Sequence, residues 1–333
     1  MMKIKTFLLI CLLSGTAAMQ GNAQNTELKF NADGKFKIVQ FTDVHWVPGN
    51  PASKEAAERM NEILDAEKPD FVIYTGDLIF GKPAGEALEK ALEPVISRKL
   101  PFSVTWGNHD DEQGMTRSQL YEYIKDMPGN LTSTVEGLSG VTNYILTLKD
   151  RDGDKNAAVM YVFDSHSYSP RKSVKGYDWI KFDQIAWYRE KSAGFKEQNA
   201  GKPLPALAFL HIPLPEYNEA AQDESTLLIG TRKERACAPQ INTGLYAAML
   251  DAGDVMATFA GHDHVNDYVA YWKGILLCYG RFTGGKTVYH NIPGGNGARI
   301  IELTEGEHSF RSWIRLKGGK IVNEIAYPSD FTL

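Results

Sequence analysis

The 333-residue sequence is short of cysteine and has no excess of basic residues. Its 3 cysteines include no Cys-x-x-Cys pair, which argues against a zinc knuckle. The formal charge of −5 gives no sign of a nucleic-acid-binding patch. The sequence also lacks a glycine-rich nucleotide cradle, an internal repeat and a low-complexity linker. With 43% hydrophobic residues and no clear boundary, residues 24–333 are predicted to form a single domain with a large core.

The amino terminus predicts export. Lys3 and Lys5 precede an apolar stretch over residues 6–13, and small and polar residues then lead to Ala23. This pattern is typical of a secretory signal peptide, residues 1–23, and predicts a secreted or periplasmic protein. Its apolar part is too short to span a bilayer, so we expect no membrane span once the signal is removed. The alternative is a buried first helix.

Removal of the signal leaves Cys237 and Cys278 as the cysteines of the mature chain. An oxidising compartment permits a disulfide, and we expect these two residues to form one. The alternative is two buried free thiols, because the sequence does not fix the distance between them.

Strands and helices alternate along the first part of the mature chain. Apolar runs at 36–41, 71–74 and 100–106 are predicted strands, and residues 50–68 and about 85–98 between them have helical periodicity. We expect the first helix to be capped by its serine at position 53. This βαβαβ order predicts a parallel or mixed sheet with right-handed crossovers.

Further elements follow along the chain. Predicted strands cover residues 141–148, 157–163, 205–210 and 255–260, and predicted helices cover residues 116–125, 182–196 and 241–252. The charged turn at 150–154 has a calcium-like density of acids but lacks the full spacing, so we expect a solvated hairpin tip. The long segment 212–240 is expected to line the mouth of an active site.

Five of the predicted strands are followed directly by side chains that bind hard metal ions. These residues are Asp43 and His45, Asp77, Asn108, His211, and His262 and His264. Sheets in α/β proteins bind ligands at the carboxyl ends of their strands, so these five ends predict a two-metal site. Taken singly, each histidine is more often structural than a ligand, so the prediction depends on the whole set.

The spacing of these residues suggests how two ions would be shared. Asp77 is the natural bridge, because Gly76 lets the backbone turn tightly before it. The pairs at 43–45 and 262–264 are each two residues apart on extended chain, so each pair faces one way and can grip an ion. Asn108 and His211 would complete the second ion.

His109 lies beside Asn108 but points elsewhere, so it is predicted to act on the substrate. Asp110 is expected to hydrogen-bond the ring of His109 and hold its tautomer, which gives the pair a catalytic role.

The series of motifs resembles that of the calcineurin-like metallophosphoesterases. D-x-H, G-D, G-N-H-D, a lone histidine and G-H-x-H occur in order from Asp43 to His264, nearly the whole mature chain. Other segments resemble the Dcr2 and purple-acid-phosphatase-29-like branch of that family. They are Lys68-Pro69-Asp70-Phe71, residues 74–81, Phe163-Asp164-Ser165, Tyr177-Asp178-Trp179-Ile180, residues 209–216 and residues 277–280.

This resemblance implies an α/β fold, a four-layer α/β/β/α sandwich with two mixed β-sheets and the metals at their carboxyl edge. It implies two divalent ions, with zinc, manganese and iron left open. One ion would be bound by Asp43, His45, Asp77 and His264, and the other by Asp77, Asn108, His211 and His262. True purple acid phosphatases carry a tyrosine three residues after the Gly-Asp aspartate, where this chain has Phe80, which implies a centre without the purple colour.

These features predict a secreted enzyme that hydrolyses phosphate monoesters of a small phosphorylated substrate by attack of a metal-bound hydroxide. His109 would give a proton or hydrogen bond to the departing alkoxide. One alternative is a phosphodiesterase acting on nucleotides or lipid head groups. The other is a non-catalytic, metal-dependent binding protein, against which the complete ligand set argues.

Overall fold

The computed structural model describes residues 27–331, and the predicted signal peptide lies outside the described residues. In chain order the strands are β1 (Leu28–Lys29), β2 (Lys35–Phe41), β3 (Phe71–Thr75), β4 (Phe102–Thr105), β5 (Tyr144–Lys149), β6 (Asn156–Val162), β7 (Ala206–Phe209), β8 (Leu228–Ile229), β9 (Val255–Ala260), β10 (Val269–Trp272), β11 (Ile275–Tyr279), β12 (Gly297–Thr304), β13 (Phe310–Leu316) and β14 (Ile321–Tyr327). The helices are α1 (Ser53–Glu67), α2 (Ala84–Ser97), α3 (Arg117–Ile124), α4 (Phe182–Gln198), α5 (Glu216–Gln222) and α6 (Leu245–Ala252), with short 3₁₀ turns at Asp110–Gln113 and Lys317–Gly319.

The strands form two mixed sheets. The eight-stranded sheet has the order β1-β5-β6-β7-β9-β11-β10-β8, and the six-stranded sheet has the order β14-β13-β12-β2-β3-β4. Strands β2, β3 and β4 are parallel neighbours, as are β6, β7, β9 and β11. Hairpins such as β10–β11 and β12–β13 supply antiparallel pairs. The mixed topology was predicted and is confirmed.

The two sheets pack face to face through one apolar core. Ile38 and Phe71 from the six-stranded sheet lie in the same buried cluster as Leu207 and Phe259 from the eight-stranded sheet. The phenyl rings of Phe209 and Phe259 stack in this layer with centroids 5.2 Å apart. Sheet-on-sheet packing thus forms the two central layers.

Helices cover the outer face of each sheet. Val39 on β2 points away from the inter-sheet core and packs in the cluster that contains Met60 of α1 and Leu88 of α2. On the other side, Ala208 of β7 shares a cluster with Tyr188 of α4. Successive side chains of a strand point to opposite faces, so strands buried on both faces read as continuous apolar runs. The predicted four-layer α/β/β/α sandwich is confirmed.

Two predicted helix starts need correction. Ala52, not Ser53, precedes the first turn of α1, and the hydroxyl of Ser53 instead accepts from Val47 N (2.9 Å) and donates to Val47 O (3.0 Å). Helix α6 begins at Leu245 rather than residue 241, because Gly244 before it has a left-handed φ of 90°.

The loops match the predictions in part. The charged turn at 150–154 is confirmed as the tip of the β5–β6 hairpin. The segment 212–240 is less irregular than expected, since it contains α5 and the short strand β8, which pairs with β10. Within residues 27–331 no helix is long and apolar enough to cross a membrane.

The expected disulfide is wrong. Cys278 is buried on β11 in the core between the two sheets, whereas Cys237 is exposed on the loop that precedes α6, and both are free thiols. The alternative of two buried thiols fails as well, because only Cys278 is buried.

Candidate metal centre

The polar segments after β2, β3, β4, β7 and β9 meet where the carboxyl edges of the two sheets adjoin. Gln40 on β2 links these edges, since its Nε2 donates to Thr75 Oγ1 (2.9 Å) and to the carbonyl oxygen of Ala260 (3.2 Å). His211 Nδ1 lies 2.7 Å from the carbonyl oxygen of Thr75 and donates to it. These hydrogen bonds hold the ends of β2, β3, β7 and β9 in one place.

Two groups of buried side chains at this edge have the composition of metal sites. One consists of Asp43, His45, Asp77 and His264, and the other of Asp77, His211 and His262. Within each group the ligand atoms lie within 4.8 Å of one another. Asn108 is fully buried directly before His109, whose backbone N–H donates to Asp77. The structure thus brings together every residue that was predicted to bind metal.

Asp77 belongs to both groups. Its Oδ2 lies 3.6 Å from His45 Nε2 and 3.3 Å from His211 Nε2. Its Oδ1 accepts the backbone N–H of His109 at 2.8 Å, which fixes the rotation of the carboxylate. One oxygen is therefore held by the protein and the other faces both groups, as a bridging ligand requires.

Asp43 is oriented in a similar way. Its Oδ2 accepts from the Thr42 hydroxyl (2.8 Å) and from the backbone N–H of His262 (3.0 Å). Its Oδ1 is left facing the rings of the first group, 3.5 Å from His264 Nε2 and 3.9 Å from His45 Nε2.

Backbone carbonyls set the orientation of two rings. His211 Nδ1 donates to Thr75 O, and His264 Nδ1 donates to Tyr289 O at 2.8 Å. A carbonyl can only accept, so Nδ1 carries a proton in both rings, and Nε2 is the nitrogen left to bind an ion. Such hydrogen bonds to the second ring nitrogen commonly fix the tautomer of metal-binding histidines.

Unpaired polar atoms indicate that this place is suited to a cation. Among residues 27–331, Asn108 Oδ1 and His262 Nε2 are buried and have no hydrogen-bond partner. A buried acceptor without a partner costs about 1–3 kcal/mol, so such atoms are rare unless something else satisfies them. Both are lone-pair donors that a divalent ion would satisfy, which fits the donor set to the two metals expected here.

The backbone around the centre is strained. Asp43, His45, Asp77 and His262 have φ values of 54°, 48°, 51° and 79°, in the left-handed region. A non-glycine residue there costs roughly 1–3 kcal/mol, and such strain is concentrated at functional sites. The surrounding hydrogen bonds hold these residues in conformations that aim their side chains inward.

Two glycines are required by close approach. Gly76 has a φ of 87°, and a Cβ there would overlap the ring of His211. A Cβ on Gly107 would overlap the carboxylate and backbone of Asp77. A larger residue at position 76 would displace His211, and one at position 107 would displace the proposed bridge, Asp77.

Burial and the charged neighbours set the protonation of the metal-free centre. Burial lowers the pKa of His45 and of His262 to about 3, so both rings are neutral. Burial also acts against a proton on His211, but the carboxylates of Asp77 and Asp43 outweigh it and raise the pKa of His211 to about 9. Burial opposes ionisation of Asp77, yet the neighbouring histidines hold its pKa well below the usual range. Neutral imidazoles and ionised carboxylates are the forms that bind metal.

The expected role of Asp110 is wrong. Its Oδ1 accepts the backbone N–H groups of Leu78 (2.8 Å) and Ile79 (3.1 Å), and its Oδ2 those of Asp77 (3.0 Å) and Gly107 (2.7 Å). All four donors belong to the two loops that carry the proposed ligands. Asp110 therefore fixes the backbone around Asp77 instead of holding the ring of His109.

Glu112 is the partner of His109, and sequence reasoning missed it. Its Oε2 lies 2.7 Å from Nδ1 of the ring, which is 29% exposed and is the most accessible imidazole among the predicted site residues. The residues between them form a 3₁₀ turn, and residues three apart in such a turn lie on the same face. Residues three apart meet only once this turn has formed, so the sequence alone did not distinguish Glu112 from the adjacent Asp110 as the partner of His109.

Arg117 and Asp164 support the loop between β4 and α3. Arg117 donates to the carbonyl oxygens of Trp106 (3.3 Å), Gly107 (2.7 Å) and His166 (2.7 Å), and to Asp164 Oδ1 (2.9 Å). Burial opposes ionisation of Asp164, but Arg117 outweighs it and lowers the pKa. No local sequence pattern pointed to this pair, because its partners are far apart in the chain.

A third group, Cys237, His262 and Asp263, also has donor atoms within 4.8 Å of one another. The carboxylate of Asp263 is already hydrogen-bonded within the protein, since its oxygens accept from Cys237 N (3.2 Å) and from the Tyr279 hydroxyl (2.5 Å). This group therefore borders the centre without forming a separate site.

Comparisons with known proteins agree with this geometry. The family model described as calcineurin-like phosphoesterase matches residues 36–266. The chain is 34% identical to the probable inactive purple acid phosphatase 29 of Arabidopsis thaliana, over 94% of this chain and 90% of that protein. It is 36% identical to the phosphatase Dcr2 of Saccharomyces cerevisiae over 91% of this chain, but spans only 57% of that protein. Among solved structures, it is similar to a dimetal phosphatase from Danio rerio with a TM-score of 0.60, at 13% identity over 87% of this chain and 98% of that one.

Proposed function

The chain belongs to the calcineurin-like phosphoesterase family, and on that premise we propose that it is a metal-dependent phosphatase acting on phosphate monoesters. The observation that carries the proposal is the position of Asp77, whose Oδ2 faces two groups of buried donors at once. Two divalent ions held there would neutralise charge on the phosphoryl oxygens and acidify a water for attack. Zinc, manganese and iron all suit this donor set.

The residues of the chain have distinct parts in this reaction. Asp43, Asp77 and the four buried histidines would hold the ions, and Asp110 and Arg117 fix the backbone of the loops that carry them. His109 is half-exposed beside the first group, with its ring centroid 5.6 Å from that of His45. The Glu112 carboxylate accepts from Nδ1 of His109, so the imidazolium form of the ring would give the proton on Nε2 to the departing alkoxide and keep the one on Nδ1.

Monoester preference is supported by the names of the similar proteins. Dcr2 and the plant proteins are named as phosphatases. The natural substrate proposed is therefore a small phosphorylated molecule, and diester cleavage is the contrasting outcome of the experiment below.

Activity, as opposed to metal binding alone, is supported by the completeness of the site. Some similar Arabidopsis proteins are named probable inactive. In this chain every ligand of the two groups is present and buried, and the half-exposed His109 is available to the substrate. A protein that only binds metal has no need of that last feature.

The test combines metal analysis with an ester panel. Purified protein is assayed for bound zinc, manganese and iron, and then for phosphate release from monoesters and cleavage of diesters. We expect metal-dependent monoester hydrolysis that a chelator abolishes and added metal restores. Faster turnover of diesters would reassign the substrate class, and full metal occupancy without turnover of either ester would make the chain a binding protein.

We also propose that the protein is exported, from the residue pattern at 1–23. Amino-terminal sequencing of protein from the producing cell is expected to start near Gln24, in a non-cytoplasmic fraction. Recovery of active cytoplasmic protein with Met1 intact would overturn this.

A further inference from the structure

The loop between β6 and α4 carries two tyrosines that the mechanism above does not use. Tyr168 and Tyr177 face each other in an antiparallel bridge, and Ser169 N donates to Gly176 O beside them at 2.9 Å. Residues opposite each other in such a pair have side chains on the same face. Their rings accordingly stack, with centroids 5.7 Å apart and planes 23° from parallel.

This stacked pair is fixed to the candidate metal centre. Asn108 Nδ2 donates to the Tyr168 hydroxyl at 3.3 Å, and the Ser167 hydroxyl donates to the carbonyl oxygen of Asn108 at 3.3 Å. The ring of Tyr177 meets the ring of His262 edge-on, with centroids 4.4 Å apart. The pair is therefore preorganised at the rim of the second ligand group.

Tyr177 is half-buried between its neighbours, but Tyr168 is 48% exposed. The Tyr168 ring stacks on Tyr177 on one side, and the residue is nearly half exposed at the rim of the site.

Tyr168 is also close to the proposed proton donor. Asn108, whose Nδ2 donates to the Tyr168 hydroxyl at 3.3 Å, directly precedes His109 in the chain. His109 and Tyr168 thus share one neighbour. A leaving group whose oxygen is protonated by His109 would therefore lie near Tyr168.

We propose that the open part of Tyr168 is a specificity-determining surface that binds a planar aromatic leaving group. This inference rests on the proposed phosphatase function. Stacking between aromatic rings contributes to the binding free energy beyond the burial of apolar area, and this contribution corresponds to about a three- to tenfold gain in affinity. Esters with a flat aromatic alcohol are therefore favoured over saturated esters of the same size.

The test uses two esters that differ in planarity but release alcohols of similar acidity. Benzyl phosphate and cyclohexylmethyl phosphate are compared by kcat/KM with wild type, Tyr168→Leu and Tyr168→Phe. We expect Tyr168→Leu to lower the benzyl-to-cyclohexylmethyl ratio by about three- to tenfold, mainly through KM. Tyr168→Phe keeps the ring and is expected to keep the ratio, which separates stacking from the hydroxyl's contact with Asn108. Tyr123→Leu is the matched control, because Tyr123 is a 38% exposed tyrosine on α3 that bonds Glu89.

A second readout does not depend on turnover. Equilibrium binding of benzylphosphonate and cyclohexylmethylphosphonate to the metal-loaded proteins is expected to show the same change in ratio. A ratio that Tyr168→Leu leaves unchanged in both experiments overturns the inference while the phosphatase function stands. Absence of hydrolysis, together with a binding ratio that Tyr168→Leu lowers, would overturn the phosphatase function and leave the inference about Tyr168 standing. Adenosine 5′-phosphate is also compared with ribose 5-phosphate, which lacks the base. A preference for adenosine 5′-phosphate that Tyr168→Leu removes would show that a nucleobase reaches Tyr168, whereas a Tyr168-dependent preference for benzyl phosphate alone would show that the ring is an aryl group next to the ester oxygen.

Discussion

His45 and His264 face each other through their Nε2 atoms at 3.0 Å, although 219 positions separate them in the chain. His264 carries its proton on Nδ1, where it donates to Tyr289 O, so its Nε2 presents a lone pair toward the other ring. Asp43 Oδ1 lies 3.9 Å from His45 Nε2 and 3.5 Å from His264 Nε2, and Asp77 Oδ2 lies 3.6 Å from His45 Nε2. A cation among these four atoms would be bound by both carboxylates and both rings, in place of the contact between the two nitrogens.

The first prediction concerns the shared carboxylate. Asp77→Asn keeps the shape of the side chain but removes the charge that faces both groups. We expect loss of most bound metal and a fall in kcat/KM of at least roughly 10²-fold, since both ions lose an anionic ligand. Metal content and phosphate release are measured together. A variant that retains two ions and near-normal turnover would contradict the bridging role.

The second prediction separates chemistry from metal binding. His109→Ala is expected to keep its metal while kcat falls by roughly 10²–10⁴-fold, the usual weight of acid–base help. Glu112→Gln is the companion variant, with a smaller loss, because it weakens only the contact that orients the ring. If His109→Ala loses its metal, His109 is a ligand and the assigned role fails.

The third prediction concerns stability. Burial and the charge of Asp77 raise the pKa of Asp110 to about 7, so at about pH 8 the carboxylate is ionised and accepts four backbone N–H groups. At that pH, Asp110→Asn places an amide N–H₂ against N–H donors and is expected to lower the free energy of unfolding by about 2–4 kcal/mol. Asp111→Asn is the matched control at the next position. The Asp111 carboxylate is half-exposed and lies 3.5 Å from Arg117 Nε, and exposed ion pairs contribute little, so this variant is expected to change the free energy of unfolding by less than about 1 kcal/mol. Equal effects in urea unfolding would show that Asp110 is not the anchor of these loops.

The fourth prediction is the pH dependence of metal binding. The carboxylates of Asp77 and Asp43 raise the pKa of His211 to about 9, so below this pH the metal-free ring holds a proton that an ion must displace. Affinity should therefore fall as the pH falls below about 9, by up to tenfold per unit, and level off above it. Calorimetry in buffers of different ionisation enthalpy should detect proton release at about pH 7. His166→Asn is the control, because the ring of His166 is bonded to Gln184 outside the ligand groups, and this variant should keep the same pH dependence. Metal binding without proton release would disprove the assignment of His211 as a ligand that is protonated in the metal-free protein.

The fifth prediction concerns colour. Phe80, which stands in place of a metal-binding tyrosine, has its ring 5.2 Å from that of His45 and has no oxygen to donate. The hydroxyls of Tyr74 and Tyr279 are bonded to Ala91 O and Asp263, away from the two ligand groups. Protein loaded with iron under air is therefore expected to lack an intense tyrosinate band in its visible spectrum. If a band appears and Tyr168→Phe removes it, Tyr168 reaches the metal and the ligand map needs revision.

The fold and the donor set could be predicted because their signals are local. Strands buried on both faces read as unbroken apolar runs, and turns that follow them need small or polar residues, so the sequence marks each strand end. Asp43, Asp77 and His211 could be named for that reason. The roles of Asp110 and Glu112 could not be separated, because they depend on the path of a single 3₁₀ turn.

What the sequence by itself determined is the chemistry: the donor types, their attachment to strand ends and the layered α/β architecture that brings those ends together. Only the tertiary structure decided which atoms meet. It separated Cys237 from Cys278 and stacked Tyr168 on Tyr177. The physical reason is that residue type and periodicity are properties of neighbours in the chain, whereas a distance between remote residues depends on how all the layers pack.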